Sequence, residues 1–162
     1  MYIKKIRLIK NICEDRKFRI SVAESCTGGL LSSLFTQISG ASSFFDSGYV
    51  VYSNKSKINL LNVPSRIINK YGAVSKNTST KMAELLFKKT KSDIIVSITG
   101  VAGPDGGTKK NPVGTVYFTF GFKIKKKILY ETICKKFKND GRLNIQKKSA
   151  LFAINQILKK IN

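Results

Sequence analysis

The segment Asp93–Thr99 (DIIVSIT) carries Ile94, Ile95, Val96 and Ile98 in a nearly continuous apolar run, on both faces of an extended chain. A strand without a polar face has to be covered on both sides, the condition of an interior strand in an α/β sheet. Other strand-like stretches surround it. In Lys17–Ala23 (KFRISVA), Phe18, Ile20 and Val22 alternate, Gly48–Tyr52 (GYVVY) is β-prone, and Val116–Phe122 and Lys127–Phe137 read as a strand pair. Between them lie helical patterns. Residues 2–14 carry a stripe of Ile3, Leu8, Ile9, Ile12 and Cys13, and Leu30–Ile38 is an apolar helix. A helix capped by Ser53 or Asn54 runs to about Leu61, and Pro64 opens another that ends near Gly72. Val74-Ser75 leads into a helix through Lys91, with Met82, Leu85 and Leu86 on one face, and Leu143–Ile161 closes the chain. This order predicts one α/β domain over residues 1–162, a three-layer α/β/α sandwich with a mixed central sheet.

No uncharged apolar run is long enough to predict a membrane-spanning helix, and Met1–Lys10 alternates apolar with basic residues, unlike a secretory leader. A cytoplasmic protein is expected. Cys13, Cys26 and Cys134 are odd in number and lack metal-like pairing, which favours reduced thiols. The formal charge of +21 invites a nucleic-acid reading. Only five of the 30 basic residues are arginines, however, and the lysines are spread from end to end. Nucleic-acid modules favour clustered arginine and interleaved aromatics, so AT-biased codon usage accounts better for the charge, and attraction to small anions fits either origin.

The chain contains no histidine. A Ser-His-Asp triad, a Cys-His dyad and histidine-ligated zinc are therefore excluded, and a hydrolase of this composition needs another base, for which lysine is the candidate. Four constellations could carry chemistry. Ser25-Cys26-Thr27-Gly28-Gly29 lies at a strand-to-helix turn, where it is either an anion cradle or an ordinary helix start. Cys26 at that turn is a weaker candidate nucleophile than a packing residue, since no histidine can partner it. Ser42, Tyr52 and Lys57 form the second set. A lysine of ordinary pKa, about 10.4, is a poor base at neutral pH, but burial lowers that value. Spacing alone leaves open whether Ser42 is a turn residue or a nucleophile, and which of Ser25, Ser42 and Ser43 lies nearest Lys57. Third, the glycine-rich stretch from Thr99 and Gly100 to Gly107 leaves the end of the buried strand, where open α/β sheets bind ligands, and fits neither dinucleotide nor Walker A patterns. Fourth, Arg142 follows Asp140-Gly141 just before the last helix, and a guanidinium there suits a phosphate or carboxylate.

Six blocks occur in order: Ala23-Glu24-Ser25-Cys26-Thr27-Gly28-Gly29, Gly40 to Phe45 (GASSFF), Val51-Tyr52-Ser53-Asn54 with Lys57, Tyr71 to Ser75 (YGAVS), Ile98 to Gly107 (ITGVAGPDGG) and Pro112 to Val116 (PVGTV). Together they resemble the C-terminal domain of the CinA family, including its stand-alone PncC-like members, over essentially the whole chain. The resemblance implies a nicotinamide-nucleotide amidohydrolase of pyridine nucleotide salvage. Such an enzyme hydrolyses nicotinamide mononucleotide to nicotinic acid mononucleotide and ammonia by a Ser/Lys mechanism, with no metal or organic cofactor. Carried over, Ser42 would be the nucleophile and Lys57 the base, with Ser25 and Tyr52 assisting proton transfer. Thr27, Gly28, Thr99, Gly100 and Arg142 would bind substrate, Arg142 at its phosphate. A homodimer without membrane or nucleic-acid partners is the further expectation. The alternative is a non-catalytic, nucleotide-binding or competence-associated relative. The order Asn139-Asp140-Gly141-Arg142 departs by one residue from the family's Gly-Asp-Arg.

Overall fold

The structure, a computed structural model, describes residues 2–162. Helix α1 (Tyr2–Arg16) leads into strand β1 (Ile20–Glu24), helix α2 (Leu30–Thr36), a 3-10 turn (Ala41–Ser43) and strand β2 (Phe45–Val50). Three helices follow: α3 (Asn54–Leu61), α4 (Ser65–Tyr71) and α5 (Lys76–Thr90). Strands β3 (Ile94–Gly100), β4 (Thr115–Ile124) and β5 (Lys127–Lys136) precede helix α6 (Arg142–Ile161). The five strands form one mixed sheet in the order β2-β1-β3-β4-β5. β1 is parallel to both β2 and β3, whereas β3–β4 and β4–β5 are antiparallel.

Helices cover both faces, as the apolar Asp93–Thr99 segment requires. On one face Val22, Val96 and Phe118 pack with Ile6 and Ile9 of α1, Leu31 and Leu34 of α2, and Ile154 and Ile157 of α6. On the other, Ala23 and Ile95 pack with Leu61, Ile68, Met82 and Leu86 from α3, α4 and α5. That second interface is partly polar. Ser79 of α5 bonds Ser97 (3.1 Å) and Thr119 (2.8 Å), Thr119 bonds Thr132 (2.8 Å), and Thr132 bonds Thr80 (2.8 Å). These hydroxyls satisfy one another where an apolar contact would otherwise sit, and their directionality fixes α5 against the sheet.

Serine caps set two helix starts: Ser53 accepts from the Ser56 amide (3.0 Å) and Ser75 from the Thr78 amide (3.1 Å). β2 begins three residues earlier than the predicted Gly48–Tyr52 segment. It is an edge strand whose residues alternate between partly covered and exposed, so Asp46 and Ser47 fit it although their types suggest a turn.

Gly114 ends the long loop before β4 with φ +97°, and a Cβ there would lie 2.1 Å from the Phe137 carbonyl oxygen. Gly114→Ala combines left-handed strain with a backbone clash and is expected to cost about 2–4 kcal/mol, read as a lower urea midpoint at unchanged slope.

Candidate active site

The parallel strands β2, β1 and β3 all end on one side of the sheet. The chain leaves β1 through α2 on one face and leaves β2 through α3–α5 on the other, so a crevice opens where the connections part, the usual place for a ligand in an open α/β sheet. A cavity of about 230 Å³ occupies it. Its walls come from the turn after β1 (Ser25, Cys26), the end of β2 and start of α3 (Tyr52, Lys57), and the Thr99–Gly106 stretch, with Arg142 of α6 at the margin.

Lys57 lies in the first half of α3 and is 1% exposed. Its Nζ donates to Ser25 Oγ (2.9 Å), to the Val51 carbonyl (3.0 Å) and to the Tyr52 carbonyl (3.1 Å). Ser25 is 6% exposed, and its own hydroxyl can donate to the Tyr52 carbonyl at 3.3 Å. Burial lowers the Lys57 pKa from 10.5 to about 8, opposed in part by Cys26. A neutral amine has two N–H bonds and one lone pair. With the two N–H bonds on the strand-end carbonyls, the lone pair faces the Ser25 hydroxyl. Such an arrangement is chemically able to pair a serine nucleophile with a base.

Several expectations about individual residues need correction. Ser42 does not meet Lys57. It is exposed in the 3-10 turn before β2, where its carbonyl accepts from Arg19 Nη1 (3.0 Å). Lys57 lies beyond the other end of β2, and a six-residue strand spans roughly 20 Å. Spacing along the chain could not reveal that a strand runs between the two. Thr27 and Gly28 also lie outside the cavity, in a separate one of about 290 Å³ between α2 and α6. Nor is the turn after β1 a free anion cradle. The amides of Leu31 and Ser32 in α2 already donate to the Glu24 carboxylate, at 3.0 and 2.8 Å. Cys26, by contrast, is the packing residue expected: it is buried, which pushes its thiol up to about 12, so it is not a thiolate nucleophile at neutral pH.

Other expected residues do converge on the cavity. Thr99 and Gly100 line it, Thr99 with its hydroxyl on the Ala73 carbonyl (2.8 Å). Arg142 is the first residue of α6 despite the shifted Asp-Gly-Arg order, and its Nη1 donates to the Gly103 carbonyl (2.7 Å). Its Nη2 donates to the Tyr52 hydroxyl, with the guanidinium 5.8 Å from that ring's centre. Ala102 and Gly103 are buried and line the cavity, and neither amide donates to another backbone group among the described residues. No group of three potential metal-ligating side chains occurs among the described residues, and no described helix is long and apolar enough to cross a membrane. Sequence reasoning missed Glu24 and Gln146, whose Nε2 donates to the Cys26 carbonyl (2.9 Å). A signal existed for Glu24: α2 starts after two glycines with no side-chain cap of its own.

Comparison with known proteins finds relatives of the same fold. The model of the CinA C-terminal domain family matches residues 4–161. A CinA-like protein of Thermotoga maritima is 43% identical over 155 residues, covering 95% of this chain and 35% of its own length. One of Endomicrobium trichonymphae is 44% identical over 148 residues, covering 91% of this chain and 33% of its own. The chain thus spans about a third of the curated relatives it matches. Among solved structures, competence damage-inducible protein A of Klebsiella pneumoniae superposes with a TM-score of 0.90 at 27% identity, covering 98% of this chain and 96% of that one. Competence/damage inducible protein CihA of Agrobacterium tumefaciens gives 0.88 at 30%, covering 97% and 93%.

The buried amine generates a stability prediction with a definite sign. In the unfolded chain Lys57 holds its proton up to about pH 10.5, whereas in the fold it releases it near 8. Below pH 8 both states are protonated and the fold bears the whole cost of a buried charge. Between pH 8 and 10.5 the unfolded state binds more protons, so stability rises with pH. Lys57→Met is expected to be more stable than the parent below pH 8, by up to about 3 kcal/mol. The gap should narrow as pH rises to 10.5, measured as Tm against pH for both proteins.

Proposed function

We propose that this chain, which belongs to the family of CinA C-terminal domains, is an amidohydrolase that releases ammonia from nicotinamide mononucleotide, with Ser25 as nucleophile and Lys57 as its base. The observation that carries this reading is the 2.9 Å contact between Lys57 Nζ and Ser25 Oγ, formed by an amine whose remaining bonds go to two carbonyls. It puts Ser25 in the place of Ser42 as nucleophile and keeps Lys57 as the base, while the Tyr52 hydroxyl, expected to assist proton transfer, is instead bonded by Arg142.

In the proposed reaction neutral Lys57 takes the Ser25 proton as Oγ attacks the carboxamide carbon. The buried Ala102 and Gly103 amides donate to the oxygen that gains charge. Lys57 then returns the proton to the leaving nitrogen, ammonia departs, and an acyl-serine remains. Water, deprotonated by Lys57, hydrolyses that ester, releases the acid and restores the Ser25 hydroxyl. Phosphate recognition falls to Arg142 and to the start of α6, whose N-cap Gly141 offers no side-chain acceptor, so the first amides of the helix stay free for an anion. To bind phosphate, Arg142 exchanges its contacts with Tyr52 and Gly103 for stronger charge-assisted ones. The whole chemistry uses side chains and backbone only, and it would serve pyridine nucleotide salvage.

Ammonia release from nicotinamide mononucleotide is the direct test. Ser25→Ala and Lys57→Ala should each lower kcat by about 1,000-fold or more, the scale of losing a nucleophile or its base, while Ser42→Ala stays within about twofold of the parent. A Ser42→Ala variant as inactive as Ser25→Ala would overturn the assignment, and a parent protein that binds the nucleotide without releasing ammonia would leave a nucleotide-binding module. Because Lys57 acts as a free amine, kcat should rise with pH through about 8 and level off above it.

A further inference from the structure

We infer that Glu24 is a positioning residue that sets Ser25 against the Lys57 amine, an inference that rests on the reading of Ser25 and Lys57 as nucleophile and base. Glu24 ends β1 and is fully buried. Its Oε2 accepts the Leu31 amide (3.0 Å), and its Oε1 accepts both the Ser32 amide (2.8 Å) and the Ser32 hydroxyl (2.7 Å). The side chain therefore closes a ring from the end of β1 to the first turn of α2, and Ser25 lies inside that ring.

The ring supplies stiffness that the local backbone lacks. Gly28 and Gly29 both have positive φ (61° and 94°), and Gly29 is the N-cap of α2 without being able to cap it. α2 has only seven residues, too few to hold itself, and the first-turn amides of Leu31 and Ser32 would remain unpaired without the carboxylate. A negative charge at that end is also favoured by the helix dipole. The main chain of Glu24 supports the other partner. Its carbonyl accepts the Val51 amide (2.8 Å), and Val51 and Tyr52 supply the two carbonyls that hold the Lys57 amine. One residue thus ties the serine turn with its side chain and the lysine's acceptors with its backbone.

The chemistry requires a carboxylate, because three donors meet two acceptor oxygens. Glutamine has the same shape but one acceptor oxygen, and its NH₂ would face a helix donor. The test uses the full chain. Reactivity at Ser25 is read with phenylmethanesulfonyl fluoride by intact mass, alongside kcat and KM for ammonia release and the crystal structure of each variant. Glu24→Gln, counted per folded molecule, is expected to lower kcat and the Ser25 labelling rate by about 10- to 100-fold, with KM within about twofold, the signature of a displaced nucleophile. Its Ser25 Oγ–Lys57 Nζ separation should exceed 3.5 Å, beyond hydrogen-bonding reach. If Glu24→Gln does not fold, Ser32→Ala removes the hydroxyl donor alone and should slow labelling by about three- to tenfold. Parent-like labelling together with an unchanged Ser25–Lys57 contact in a folded variant overturns the inference. Labelling that depends on Glu24 in a protein that releases no ammonia supports it while removing the amidase reading.

Discussion

An amine withdrawn from water costs several kcal/mol as a cation unless it is well bonded, and Lys57 is placed where that cost is contained. Two main-chain carbonyls at the end of β2 and one serine hydroxyl after β1 surround it. None of the three is a carboxylate, so nothing at contact distance holds the proton on by charge. The result is a group that gives up its proton at about 8. The rest of the site follows from this choice. The carbonyls must converge, so β1 and β2 must run in parallel and end together. The serine must arrive from a turn and not from a strand, so the glycines after it are needed. α3 must begin at once, so Ser53 caps it one residue before its first turn.

Helix α6 gives the site its outer boundary. Arg142 and Gln146 sit one turn apart on it and reach three different connections: Tyr52 after β2, Gly103 after β3 and Cys26 after β1. The same helix buries Ile145, Ile154 and Ile157 against the sheet, so core packing and the margin of the cavity share one rigid element. A constellation held by a packed helix keeps its geometry better than one held by loops alone.

Much of the architecture was legible in the residues. The strand at Asp93–Thr99, the helix starts after Ser53 and Ser75 and the closing helix from Leu143 each report a local cause, and the structure has elements there. The cavity's glycine-rich wall was legible for the same reason, since it leaves the end of a buried strand. The serine that meets Lys57 was not. Ser42 is nearer in sequence, but a strand separates the two, and only strand pairing shows that β1 and β2 end on the same side. Of two serines in matching blocks, the resemblance pointed to the one that does not contact Lys57. Glu24 was missed although the two glycines before α2 left that helix without a cap of its own, because a charged residue at a strand end ordinarily reads as exposed.

The two carbonyls that hold the Lys57 amine belong to Val51 and Tyr52, the two residues that follow the outermost strand on one side of the sheet. Outer strands are the first parts of a sheet to fray, opening at a fraction of the free energy of global unfolding. Each such opening would let water reach the amine and return it to its charged form. Under the proposed chemistry that margin of the sheet would act as a chemical fuse: local opening there would silence the base while the rest of the molecule stays folded.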